Sequence, residues 1–250
     1  LMSRIGQDSS GDKVRTAIHA WGMNSECLQR DPVYPTGRVA ITLLEGEPQY
    51  SILDHQAYDY IDFSLLAPPQ SEWLYHGSLA LRHASAMEGF LQWRPSYQGK
   101  IFFDVNLRSP WWSQQQLQVL LHGVDWLKLN QNELAQLQPA GANIQDQLQS
   151  LFETFGLSAI LLTQGADGAQ LYTADGKIFK ARPQAVSKIV DTVGAGDAFS
   201  AICLLGLIND WPYEIIMERA QVFASAILTQ RGALVTQPEF YQSFIRQWRL

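Results

Sequence analysis

The sequence predicts an α/β fold, a doubly wound, mostly parallel sheet with a small β lid, on three observations. Short apolar runs alternate with longer segments of helical spacing through residues 101–229, as strand–helix crossovers do. A glycine-rich turn at 191–197 stands directly before an apolar helical run. Residues 36–62 break the alternation with two short strand candidates about a turn.

Taken in chain order, Arg38–Leu44 and Gln49–Leu53 are the two short strands, joined through Glu45-Gly46-Glu47-Pro48 as a hairpin. They form a β lid, residues 36–62, on an α/β domain made of 1–35 and 63–250. Ile101-Phe102-Phe103-Asp104-Val105 is a buried strand, and Gln114–Leu121 is a helix. Val124–Leu129 is strand-like, Ile144–Phe155 helical, and Ala159–Thr163 again a buried strand. Helices at 197–209 and 213–229 follow. In such sheets ligands gather at the C-terminal ends of the parallel strands.

Composition narrows the function. A chain of 250 residues suffices for one large α/β domain, and 46% hydrophobic with 17% charged residues is ordinary globular chemistry. A net charge of −6 argues against nucleic-acid partners and anionic membranes. Cys27 and Cys203 are too few for a disulfide framework, which suits a reducing cytoplasm. The chain opens without an apolar signal region, and its longest apolar stretch, near 198–208, is too short to span a bilayer.

Asp191-Thr192-Val193-Gly194-Ala195-Gly196-Asp197-Ala198-Phe199 is the most specific stretch. Gly194 and Gly196 permit a tight turn and close ligand approach. The helix that follows would aim the free N–H groups of residues 194–197 at one point, with the positive end of its dipole behind them. An anion fits there. Asp197 would repel a merely bound anion, but it makes sense as a base that takes a proton from a hydroxyl attacking a phosphoryl group. The competing reading is a helix-capping turn. A dinucleotide fingerprint would need glycine where Phe199 stands, and no Gly-Lys-Ser/Thr of a Walker loop occurs.

This stretch resembles the C-terminal signature of the ribokinase-like carbohydrate kinases, and the resemblance, from Ile5 to about Tyr241, is closest to bacterial-type fructokinases. It implies Asp197 as catalytic base and the Gly194, Ala195 and Gly196 amides as an anion hole. The reaction implied is transfer of the ATP γ-phosphoryl group to a primary hydroxyl of a sugar, fructose first, with 2-keto-3-deoxygluconate as the rival. Asp104-Val105-Asn106-Leu107-Arg108, at a strand end, resembles the Asp-x-Asn-x-Arg stretch of fructokinases and 2-keto-3-deoxygluconate kinases. There Arg108 would contact substrate or phosphate, with Asp104 and Asn106 shaping the phosphate end. Alone, this stretch reads as a loop with an Asx-turn.

Asn130 and Glu133 match an Asn-x-x-Glu motif that, by resemblance, helps hold Mg²⁺ through water beside the ATP phosphates; by spacing alone they are a capping box. Thr163, Gly165 and Gly168 match a Thr-x-Gly-x-x-Gly loop that lines the ATP site, with 183–190 and 224–229 flanking adenine. K⁺ is implied at the Asp191 and Val193 carbonyls, near Gly232-Ala233. The five histidines show no ligand spacing, and His55, His76 and His83 read as surface or strand-end residues.

Family members open with a strand, a sugar-binding aspartate and a Gly-Gly pair ahead of the stretch that Ile5–Gly11 resembles. The expectation is therefore that an N-terminal segment with early strands and sugar ligands precedes this sequence. Without such a segment, a sugar or nucleotide sensor is the alternative. Related enzymes dimerise through the lid, so apolar Ile41 and Leu43 suggest a homodimer.

Overall fold

The computed structural model describes the chain except residues 45–46, 138–142 and 184–187, and the side chains of 41 and 43–50. The lid turn at 45–46 and the Ile41 and Leu43 side chains thus lie outside the described residues. Contacts divide the chain into two compact units: 1–70, 77–98 and 107–112 in one, and 71–76, 99–106 and 113–250 in the other.

In the first unit, β1 (Ser3–Gly6) and β2 (Leu28–Asp31) pair in parallel through helix α1 (Ser9–Ala20), because parallel neighbours need a crossover. Asp8 caps α1, accepting from the Gly11 N–H at 2.8 Å, and the same carboxylate takes the Thr36 N–H and hydroxyl, each at 2.8 Å. The Thr36 amide, then the Gly11 amide, pull the Asp8 carboxyl down from 3.8 to about 2. Strands β3 (Val39–Leu44) and β4 (Glu47–Ile52) form the expected antiparallel hairpin, with Val39 opposite Ile52. Its contacts do not separate at 36–62. Ala57 N–H donates to the Pro35 carbonyl at 2.8 Å and Arg4 to the Tyr60 carbonyl at 2.8 Å, which stitches the segment after the hairpin to the β1 layer. Helix α2 (Ala84–Trp93) buries Phe90 and Trp93 against Phe63, and the Trp93 indole N–H reaches the Leu66 carbonyl at 2.8 Å.

The second unit is built on a six-stranded sheet containing β5 (Trp73–Gly77), β6 (Lys100–Asp104), β7 (Trp126–Asn130), β8 (Ala159–Thr163), β9 (Ala169–Thr173) and β10 (Ile178–Ala181). Its order is β10-β9-β8-β7-β6-β5. Strands β6, β7 and β8 are parallel, with Leu127 opposite both Phe103 and Ile160, while β9 and β10 extend the sheet antiparallel. Helix α3 (Gln114–Leu121) crosses from β6 to β7, and α4 (Gln131–Leu137) and α5 (Ile144–Phe155) lie between β7 and β8. Phe102, Leu127, Ile160, Leu161 and Leu162 are fully buried, as the continuous apolar runs required. Helices α6 (Ala195–Ile208) and α7 (Tyr213–Ile227) pack so closely at Gly206 that a Cβ there would come 2.5 Å from Ile216 Cγ1. Helix α8 (Pro238–Trp248) follows.

The helices at 114–121 and 144–155 and the strand at 159–163 fall where the sequence puts them. Strand β7 starts two residues later than Val124, although Asp125 still bridges its neighbours: its carboxylate accepts the Ile101 N–H at 2.8 Å and its carbonyl the Ser158 N–H at 2.8 Å. Strands β9 and β10 are not among the predicted elements. No described helix is long and apolar enough to cross a membrane.

Candidate active site

The 191–197 turn folds as a helix N-terminus. Gly194 caps α6 at φ 83°, and a Cβ there would lie 2.6 Å from Ala233 Cα, so only glycine fits this turn against the 232–233 loop. Helical bonding starts with Ala198 N–H to the Gly194 carbonyl at 2.8 Å. The N–H groups of Gly194, Gly196 and Asp197 have no hydrogen-bond partner among the described residues. Ala195 N–H differs from the expectation: it turns back to the Thr192 carbonyl at 3.4 Å. Asp197 stands in the first turn with its side chain exposed. Free amides, the helix dipole and an accessible carboxylate thus share one end of α6.

Asp191 spans two loops through its carboxylate, which accepts the Val193 N–H at 3.0 Å and the Gly232 N–H at 2.9 Å. These two amides, the Val193 one first, hold its carboxyl below the usual range. The Asp191 and Val193 segment and Gly232-Ala233 are therefore neighbours, tied by a side chain that the sequence offered only as a carbonyl.

Asp104 is not where a substrate contact would be. It is 2% exposed, and its Oδ2 receives Lys128 Nζ at 2.6 Å, the Ser200 hydroxyl at 2.8 Å and the Tyr75 hydroxyl at 3.1 Å. Ser200 also reaches the Gly196 carbonyl at 3.0 Å, and a Cβ on Gly196 would lie 3.8 Å from Lys128 Nζ. The cluster therefore sits under the first turn of α6, where Asp104 meets Lys128 and Ser200. The reason is register: Asp104 closes β6 opposite Lys128 of β7, so the two charges meet inside the sheet. Burial, then the Asp104 charge, pushes the Tyr75 hydroxyl up. Asn106, past the strand end, is held at φ 41°, a backbone region few non-glycine residues occupy. Arg108 belongs to the first unit, where its side chain is exposed; Nη1 donates to the adjacent Leu107 carbonyl at 3.4 Å and its carbonyl accepts the Trp111 N–H at 2.7 Å.

Asn130 and Glu133 realise the capping box. Asn130 N–H donates to Glu133 Oε2 at 2.8 Å, and Glu133 N–H donates to Asn130 Oδ1 at 2.9 Å, at the start of α4. This fixes both side chains at the C-terminal end of β7. At the end of β8, Thr163, Gly165 and Gly168 line a cavity of about 480 Å³ with Ala195, Gly196 and Phe199 of α6. Pro183 and Ile189, together with Ala224, Ser225 and Leu228, form more of its wall; residues 184–187 of the expected adenine flank lie outside the described residues. One cleft thus joins the loop after β8 to the free amides of α6.

The model of the pfkB family of carbohydrate kinases matches residues 1–239. This chain belongs to that family. The pfkB-family chain is 29% identical over 250 residues to the aminoimidazole riboside kinase of Salmonella typhimurium, covering 94% of itself and 77% of that protein. It is 27% identical to the fructokinase of Vibrio alginolyticus, covering 95% of itself and 82% of the relative. Among solved structures, the fructokinase from Vibrio cholerae in its fructose-, ADP- and calcium-bound form superposes with a TM-score of 0.78 at 25% identity, over 96% of this chain and 83% of that one. The carbohydrate kinase carries three residues at its centre that sequence reasoning did not single out, Lys128, Ser200 and Tyr75. A lysine inside the apolar run 126–129 was the available signal, since a buried cation calls for a partner.

Proposed function

We propose that this carbohydrate kinase transfers the γ-phosphoryl group of ATP to a primary hydroxyl of a sugar, fructose being the first candidate. The observation that carries the reading is Asp197, exposed beside unpartnered amides on a helix N-terminus that also walls the 480 Å³ cleft. Asp197 takes the hydroxyl proton as the oxygen attacks in line, and the Gly194, Gly196 and Asp197 amides face charge developing on the transferring phosphoryl oxygens. ATP lies along Thr163, Gly165 and Gly168. Asn130 and Glu133, an amide and a carboxylate oxygen donor, suit Mg²⁺ held through water, which would neutralise phosphate charge. K⁺ at the Asp191 and Val193 carbonyls, and Arg108 at substrate or phosphate, remain the roles the family resemblance implies.

A riboside is the second reading, because an aminoimidazole riboside kinase is as similar to this chain as the fructokinases are. The test is ATP-dependent turnover by the purified protein on fructose, ribose, 2-keto-3-deoxygluconate, adenosine and aminoimidazole riboside. Asp197→Ala should lower kcat by about 10²–10⁴-fold, the usual worth of a general base, while ATP still binds. ATP affinity falling in step with kcat would remove Asp197 from the base role. Turnover of the riboside alone would replace fructose.

A further inference from the structure

Asp54, His55 and His83 place a carboxylate and two imidazoles within 4.8 Å of one another on the first unit. Asp54 and His55 follow β4, and His83 is the residue that opens α2, so the fold assembles donors whose sequence positions carry no ligand pattern. His83 Nε2 lies 2.7 Å from Asp54 Oδ1, and His55 Nε2 lies 3.7 Å from Asp54 Oδ2. Donors around a tetrahedral ion with bonds of about 2.0–2.1 Å stand roughly 3.3 Å apart, so this set, with one donor atom from each residue all within 4.8 Å of one another, closes on an ion by small rotations of its side chains.

The surroundings are those of a held ligand set. His55 Nδ1 hydrogen-bonds the Tyr60 hydroxyl, which orients the ring and, with Nδ1 as donor, leaves the Nε2 lone pair toward Asp54. Metal-binding imidazoles are commonly fixed through their second nitrogen in this way. Tyr60 is itself clamped by stacking on Tyr34, with ring centroids 3.9 Å apart. His55 is held at φ 54°, a left-handed conformation uncommon outside glycine. The nearby Arg82 guanidinium, whose Nη2 is 3.9 Å from Asp54 Oδ1, is matched by Asp59 at 2.7 and 2.6 Å. Its charge is therefore largely compensated, and one carboxylate with two neutral imidazoles suits a borderline divalent ion over Mg²⁺ or Ca²⁺.

We propose that Asp54, His55 and His83 form a zinc-class transition-metal site, with a fourth position for water or another donor, clipping the segment after β4 to the start of α2. The proposal is independent of the kinase reading.

The test uses the whole chain stripped with a chelator, then titrated with Zn²⁺ against a chromophoric competitor and with Co²⁺ by absorption. One equivalent should bind per chain, with the intense visible bands of four-coordinate Co²⁺. His55→Ala and His83→Ala should each abolish stoichiometric uptake, and Tyr60→Phe should weaken it about tenfold or more. Circular dichroism checks the fold of each variant. Should an alanine variant unfold, His83→Gln, which retains a donor toward Asp54, carries the comparison and should also lose uptake. Absence of one-equivalent binding in the wild type, or uptake unchanged in folded His55 or His83 variants, overturns the site.

Discussion

Two residues set local chemistry that a single substitution exposes. Gly194 is required twice over, by φ 83° and by a neighbour 2.6 Å from where a Cβ would lie. Gly194→Ala should lower stability by about 1–3 kcal/mol, the usual cost of a side chain in that conformation. Urea denaturation measures it, and an unchanged midpoint would show that neither the left-handed backbone nor the 232–233 contact demands glycine. Asp8 behaves differently because its partners are amides and a hydroxyl. Its folded carboxyl titrates near 2 against an ordinary 3.8, so its stabilising effect is present above 3.8 and is lost as pH falls toward 2. The stability gap between wild type and Asp8→Asn should therefore be flat from neutral pH to about 4 and shrink below it. A gap that stays constant to pH 2 would contradict the depressed value.

The coupling between elements runs through the buried charges. Strands β6 and β7 contribute Asp104 and Lys128, and α6 contributes Ser200, so the first turn that presents Asp197 rests on an ion pair whose side chains are 3% and 9% exposed. Removing one partner leaves a buried charge unmatched. Lys128→Met should accordingly cost about 3–5 kcal/mol. Combining it with Asp104→Leu should recover much of that stability, since replacing a whole buried pair is often neutral. Recovery of stability without recovery of kcat would show that the pair also orients the α6 turn. Additive losses would mean that the two charges do not interact.

For the whole molecule, nucleotide binding is the sensitive readout, because a ligand that binds only the folded state adds to its stability. Mg²⁺–ATP at about a hundred times its Kd should stabilise the chain by about 2.7 kcal/mol, seen as a raised thermal midpoint. The Lys128→Met/Asp104→Leu double variant should show a smaller rise if α6 has shifted. A full rise in the wild type with no turnover on any sugar would favour the sensor reading over the kinase reading.

Much of the second unit could be read from the sequence. The apolar runs at 101–105 and 159–163 read as buried strands between helices, and Gly194-Ala195-Gly196-Asp197 before an apolar helix read as a turn exposing amides beside a carboxylate, with a capping turn as the competing reading. Thr163, Gly165 and Gly168 met that helix in one cleft because parallel strands deliver their C-terminal loops to the same side. Other placements were beyond local pattern. Asp104 reads as a ligand-facing loop residue until the strand register sets it opposite Lys128. The Asn130–Glu133 spacing suits a cap and a metal alike. Strands β9 and β10 pair antiparallel, so only the alternation in Ala169–Thr173 hinted at them. His83 meets the adjacent pair Asp54 and His55 only because the hairpin's exit is folded back onto the start of α2. The sequence by itself determined the alternating strands and helices of 101–163, the carbohydrate-kinase signature and the glycine turn that opens α6, because each depends on neighbours a few positions away. Tertiary structure alone decided which charges are buried together and which donors converge, because those contacts depend on register and chain return across tens of residues.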